Sequence, residues 1–142
     1  MERHYGTGYV QGTFDMFHVG HLILLQRARA CCDRLIVGVV SDELSKKYKG
    51  RFPIIPYADR AAIVVAIKGV DEVVRVDVGH DSKLEIWERH PFDCHFSGDD
   101  HKGWEQLIAA FRQKGVDVVF FPYTARVSST MLREKIGRGE NT

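Results

Sequence analysis

The 142-residue sequence lacks a long apolar run, a large net charge of either sign and an even set of cysteines. No stretch approaches the roughly 20 consecutive apolar residues that a membrane span needs. The opening residues, MERHYGTGYV, hold neither an apolar h-region nor a cleavage pattern, so a cytoplasmic protein without membrane attachment is expected. Twenty Lys and Arg face nineteen Asp and Glu, a formal charge of +1. No global field then draws the chain to nucleic acid or lipid, and any anion must be caught locally. The three cysteines, Cys31, Cys32 and Cys94, are odd in number and lack CxxC spacing, and adjacent cysteines rarely bridge each other. Free thiols packed as small apolar groups are expected, not a disulfide frame or a zinc site.

What is present is globular: 44% apolar and 27% charged residues, enough for one domain over 1–142 with a polar tail from about 137. The periodicity predicts a strand at 5–11, a helix over Val19–Ala30, and an apolar strand Leu35–Val40 (LIVGVV) buried on both faces. Residues 41–56, SDELSKKYKGRFPIIP, read as a long loop. A helix over Tyr57–Lys68 ends at Gly69, and strand Glu72–Val76 follows. Then come a helix over 81–90, strand Asp93–Ser97, helix Gly103–Lys114, strand Asp117–Phe121 and a last helix from Ser128 to about Ile136. This alternation predicts a single three-layer α/β domain, Rossmann-like, on a five-stranded parallel sheet.

One stretch stands out. Residues 12–21, GTFDMFHVGH, join the first strand to the first helix. Backbone N–H groups are unpaired at such a junction and the helix dipole is positive, which suits a phosphate. His18 and His21 lie three apart and share a helix face, so both can reach one bound group. SGDD at 97–100 follows the fourth strand and SST at 128–130 follows the fifth. Ligands of parallel sheets gather beyond the carboxyl ends of the strands, and all three stretches fall on that edge. A nucleoside triphosphate site is the expectation.

With these stretches in view the chain resembles the HxGH-type nucleotidyltransferases, and among them the small bacterial glycerol-3-phosphate cytidylyltransferases. The likeness runs from Tyr9 to about Ile136 and includes GTFD, HVGH, Asp59–Arg60, VDEVV at 70–74, GDD and SST. It implies an enzyme that joins CTP to a small phosphorylated alcohol, glycerol 3-phosphate first, and releases pyrophosphate. An adenylyltransferase using ATP on a sugar or cofactor phosphate is the alternative, with phosphocholine or phosphoethanolamine as other acceptors. A regulatory nucleotide-binding domain without turnover is the reading from a different class. Mg2+ and a homodimer are implied by the resemblance alone.

The resemblance also implies residue roles. His18 and His21 hold the triphosphate and stabilise the crowded phosphorus. A lysine of the 46–51 run (Lys46, Lys47, Lys49, Arg51) reaches the phosphates, and Lys46 is assigned that place, although the loop is one residue longer than in the cytidylyltransferases. Gly12 and Gly20 permit close backbone approach. Thr13 and Phe14 face the nucleotide, with a core aromatic the other reading of Phe14. Asp15 either binds Mg2+ or fixes the loop by accepting backbone N–H bonds. Arg60 is placed at the acceptor's phosphate, suited to a bidentate guanidinium, with Lys68 and Asp71 also on the acceptor side. Ser128, Ser129 and Thr130 bind the β and γ phosphates. Just before them the chain reads YTARVSS where the glycerol-3-phosphate enzymes read RTEGIST. Thr124 is matched, Tyr123 replaces an arginine, and Arg126 offers the positive charge from another point. Asp99 lines the base pocket, where a carboxylate accepts equally from cytosine's or adenine's exocyclic amine. His101 and Trp104 either stack on the base or, for Trp104, pack the helix.

Overall fold

The computed structural model describes residues 4–79, 82–98, 103–122 and 129–138. Five strands, β1 (Tyr5–Gly12), β2 (Cys32–Val40), β3 (Glu72–Val76), β4 (Cys94–Ser97) and β5 (Asp117–Phe120), form one parallel sheet in the order β3-β2-β1-β4-β5. The helices are α1 (Val19–Ala30), α2 (Asp42–Lys49), α3 (Tyr57–Ala66), α4 (Lys83–Arg89), α5 (Glu105–Gln113) and α6 (Ser129–Gly137). The expected α/β architecture and parallel sheet are present.

Strand alternation divides the core in two. Val10, Leu35, Val37 and Val39 meet Leu25 and Ala28 of α1 and Val64 of α3 on one face. Tyr9, Ile36, Val74 and Val76 meet Leu44 of α2, Ile86 of α4 and Phe111 of α5 on the other. Both faces of β1 and β2 are covered, which is why their sequences run as near-continuous apolar stretches. Tyr9 lies directly over Gly38, where any β-carbon would collide with its ring, so β2 carries its glycine at the point of closest approach. The three cysteines are free and buried, as expected.

The direction of winding reverses between β1 and β4, so a crevice opens beyond Gly12 and Ser97. That topological switch point is where ligands of such sheets bind.

One element differs from expectation. Residues 42–49 form helix α2 where a long loop was read. The stop and start signals are ordinary: Ser41 caps the N-terminus by accepting from the Leu44 N–H at 3.1 Å, and Asp42 and Glu43 fill the first turn. Lysines fill the last turn, and Gly50 closes the helix with φ 76°. The polar composition that suggested a loop belongs to the solvent face, while Leu44 and Ser45 are buried.

Candidate active site

His18 is the N-cap of α1, in extended conformation, and its Nδ1 accepts the Gly20 N–H at 3.1 Å. His21 returns the contact, its Nδ1 accepting the His18 N–H at 3.2 Å. The two histidines thus build a capping box usually made by a hydroxyl and a carboxyl. Their rings stack with centroids 3.9 Å apart. Because each Nδ1 accepts, the proton of each neutral ring sits on Nε2. Two N–H donors are thereby fixed side by side at a helix N-terminus. Burial, then the neighbouring His18 and Lys49 charges, pushes His21 down to about 4, and burial also lowers His18. At neutral pH both rings are uncharged donors.

The loop between β1 and α1 is held in an unusual shape. Phe14 and Met16 have φ of 54° and 49°, a region that non-glycine residues enter at a cost of about 1 to 3 kcal/mol. Two contacts hold it there. Phe14 is buried in the core and its ring meets His21 edge-on at 5.3 Å, so its core reading is the one observed. Asp15, 3% exposed, accepts from the Ile54 and Ile55 N–H groups at 2.9 Å each and pairs with Arg133 of α6. Burial alone would raise its carboxyl; the two amides, with Arg133 and Arg60, outweigh it and lower the pKa. Of the two roles open to Asp15, loop fixing is the one seen. Gly12 carries no β-carbon where one would come within 3.0 Å of the Phe14 ring.

The lysine run resolves by helix geometry. Lys46 donates from Nζ to the Gly50 carbonyl at 2.9 Å and lies over Phe52, so it caps its own helix. Lys49, almost one turn on, donates to Thr13 Oγ1 at 3.2 Å. Its charge is felt at His21, and loss of solvent, then Arg133 and Arg51, lowers its own pKa. Of the two, it is Lys49 and not Lys46 that the structure brings to the loop of the paired histidines. The register of α2, invisible while 41–56 was read as loop, decides it.

Three acceptor-side assignments are corrected. Arg60 is 1% exposed and its guanidinium is spent on protein: Nε on the Ile55 carbonyl at 2.8 Å, one terminal nitrogen on the Thr13 and Val40 carbonyls at 2.6 and 2.8 Å, the other on Asp42 at 2.6 Å. It is not presented to a ligand. Asp71 accepts the Leu35 N–H at 2.8 Å and pairs with Arg29 at 3.4 Å, at the amino end of β3. Exposed Lys68 lies just before it. The five residues of β3, about 16 Å of strand, put both at the sheet edge opposite the histidines. The α3–β3 connection is too short to bring them back.

Asp99, Thr124, Arg126 and Ser128, and also His101, lie outside the described residues, as do the side chains of Ser129 and Thr130; the backbone of the last two opens α6. Trp104 packs edge-on against His95 and Phe120 at 5.3 and 5.2 Å and carries Lys83 over its face, the packing role. Arg133 was missed by sequence reasoning. It follows Ser129 by four residues, one turn beyond the SST start, and that spacing was the available signal.

Residues 9–135 match the family model Cytidylyltransferase-like. The glycerol-3-phosphate cytidylyltransferase of Bacillus spizizenii is 34% identical over 125 residues, 87% of this chain and 91% of that protein. The FAD synthase of Pyrococcus abyssi is 40% identical over 116 residues, 80% of this chain and 78% of that protein. The bifunctional protein HldE of Gluconacetobacter diazotrophicus is 39% identical over 116 residues, 80% of this chain but only 23% of its own length. Among solved structures, the lipopolysaccharide core biosynthesis protein of Thermoplasma volcanium superposes with a TM-score of 0.70 at 22% identity, covering 87% of this chain and 99% of that one, a likeness of fold. Paired histidine donors at the sheet's switch point and a family match over nearly the whole chain lead to one conclusion: the chain belongs to the cytidylyltransferase-like family of nucleotidyltransferases.

Proposed function

We propose that this chain transfers CMP from CTP to a small phosphorylated alcohol, glycerol 3-phosphate first among the candidates, releasing pyrophosphate. The observation that carries the reading is the stacked pair His18 and His21 at the N-terminus of α1. Their Nδ1 atoms both accept from backbone and leave Nε2 as the donor of each ring, with the Lys49 charge felt at His21. An oxygen of the acceptor's phosphate attacks the α-phosphorus of CTP. The new P–O bond forms as the bond to the bridging oxygen breaks, and pyrophosphate departs with that electron pair. The nucleophile is already an anion, so no side chain need remove a proton. Catalysis is then positioning plus stabilisation of the equatorial oxygens and the leaving group.

In this scheme the histidines donate to the triphosphate and the α1 dipole adds to them. Lys49 supplies the formal positive charge; loss of solvent and the neighbouring arginines lower its pKa, and an arriving anion opposes that shift and favours the charged form. Ser128, Ser129, Thr130 and Thr124 take the triphosphate and Asp99 the base by resemblance, and Arg126 offers the positive charge of the arginine that Tyr123 replaces. Mg2+ enters with the triphosphate, a hard cation that favours phosphate oxygens and retained water. Among the described residues no cluster of His, Cys, Asp or Glu is gathered to hold it, and the Asp15 carboxylate is taken up by amides and Arg133. A homodimer and a cytoplasmic location are proposed on resemblance; among the described residues no helix is long and apolar enough to cross a membrane.

The glycerol-3-phosphate relative supports the acceptor because it is matched over 91% of its own length, so little of it lies outside the shared region. A second reading has its own support: the FAD synthase match, at 40% identity, points to ATP and adenylyl transfer. Pyrophosphate release, measured with CTP and with ATP across glycerol 3-phosphate, phosphoethanolamine, phosphocholine, a sugar phosphate and FMN, separates them. Turnover with CTP and glycerol 3-phosphate is expected; turnover with ATP alone rejects the first reading.

A further inference from the structure

The Arg60 side chain is wholly buried, yet the carboxylate it pairs with among the described residues, Asp42, is itself 31% exposed. Burying a guanidinium costs several kcal/mol, and apolar residues of like volume often serve stability as well. What the charge does provide is direction. Its planar fork sends four bonds at once, and each ends on a different part of the candidate site.

The bond to Thr13 O fixes the loop after β1. The bond to Val40 O fixes the carboxyl end of β2. The pair with Asp42 fixes the first turn of α2, whose last residue is Lys49. The bond to Ile55 O holds the segment whose amides, Ile54 and Ile55, are held by Asp15. This segment is gripped at its carbonyl by Arg60 and at its N–H groups by Asp15. Asp15 in turn reaches α6 through Arg133.

We propose that Arg60 is a positioning residue: it holds α2 against the loop after β1, so that the Lys49 ammonium stands at Thr13 and beside the histidine pair. This rests on the reading of Lys49 as the charge that assists nucleotidyl transfer. Lysine cannot replace it, because one ammonium on a flexible stem cannot hold the Thr13 carbonyl of the loop, the Val40 carbonyl of β2 and a carboxylate in a fixed plane.

The test is a double-mutant cycle on the full chain, read by pyrophosphate release and by thermal unfolding. Arg60→Lys is expected to lower kcat by about 100-fold, the scale of a 1 Å misplacement, with the acceptor's KM little changed. In a Lys49→Ala background the same change is expected to cost less than about 3-fold, because coupled residues are not additive. Additive losses, an unchanged kcat in a folded Arg60→Lys protein, or a rise confined to the acceptor's KM would each overturn the proposal.

If Arg60→Lys does not fold, Asp42→Ala cuts the Arg60 link to α2, together with the weaker contact from the Tyr57 N–H at 3.3 Å, and the half-open position lets water reach the freed nitrogen. Hydrogen exchange gives a reading independent of turnover. In Asp42→Ala the Leu44 and Ser45 amides of α2 should exchange at least roughly 10-fold faster while β1 and β2 keep their protection. Faster α2 exchange in a protein whose parent turns over no triphosphate sustains the clamp and rejects the proposed reaction. Unchanged α2 exchange rejects the clamp whatever the activity.

Discussion

Lys49 Nζ donates to Thr13 Oγ1 at 3.2 Å, so the lysine at the last position of α2 is the one that meets the loop of the paired histidines. Lys46, three residues earlier, is turned back onto Gly50. Lys49→Ala is expected to lower kcat by about 100- to 1,000-fold, the loss typical of one preorganised group at developing charge. Lys46→Ala removes a C-terminal helix contact and is expected to cost only about 1 kcal/mol of stability or less. Steady-state pyrophosphate release from both variants decides; equal losses would return the role to the run as a whole.

The stacked histidines lend themselves to a direct test. His18→Ala and His21→Ala each remove an Nε2 donor and half of the capping box. Each is expected to lower turnover by about 100-fold or more. His21→Gln separates the two parts, since a glutamine at the same box position can still accept the N-cap N–H. It should recover thermal stability without recovering rate. Recovery of both would make the histidines a structural cap.

Asp15 is predicted to act as a loop anchor and not as a metal ligand. Asp15→Asn keeps an acceptor for only part of the Ile54 and Ile55 contacts and leaves Arg133 without its carboxylate. Breaking one side of such a buried pair costs about 3 to 5 kcal/mol, so the melting temperature should fall clearly. The Mg2+ concentration for half-maximal rate should hold steady, whereas even a residue standing behind a metal ligand typically costs roughly 10- to 100-fold in affinity. A rise of that size would return Asp15 to the metal.

Acid sensitivity should come largely from neutral histidines. His95 is 1% exposed, packed against Tyr9, Phe92, Trp104 and Phe111, and its Nδ1 donates to the Phe96 carbonyl at 3.1 Å. Burial, then the Lys83 charge, pushes it down to about 3. Histidine in the unfolded chain takes up its proton near pH 6.5. Between that value and the folded one the unfolded state binds more protons, so stability falls as pH drops below about 6.5 and is indifferent to His95 above it. The slope is up to about 1.4 kcal/mol per pH unit for this group. Urea unfolding of His95→Phe from about pH 7.5 to about 4.5 should show a shallower decline than the parent. An equal decline would assign the sensitivity elsewhere.

Local signals carried the strands and most helices. Apolar runs such as Leu35–Val40 can only be buried on both faces, and glycines at 50, 69 and 115, all at positive φ, mark ends of elements. The helix at 42–49 was missed because its solvent face outweighs its two buried residues in any compositional reading, although Ser41 and Gly50 bracket it. Phe14 was open between core and ligand because a loop residue's direction depends on a φ of 54° that no periodicity predicts.

The sequence alone determined the reaction class, through the family resemblance that GTFD and HVGH carry. Their spacing at a strand-to-helix junction places two imidazoles on one turn, local geometry that needs no distant partner and by itself points to a phosphate site. Tertiary structure decided which charges serve the site. Arg60 and Lys49 are 11 residues apart and equally plausible as phosphate ligands on paper, yet one is enclosed by three carbonyls and a carboxylate while the other reaches Thr13. Asp71, likewise, was read toward the acceptor and stands at the far end of β3. A guanidinium or ammonium acts on whatever lies within a few ångströms of it, and what lies there is set by how strands and helices are stacked.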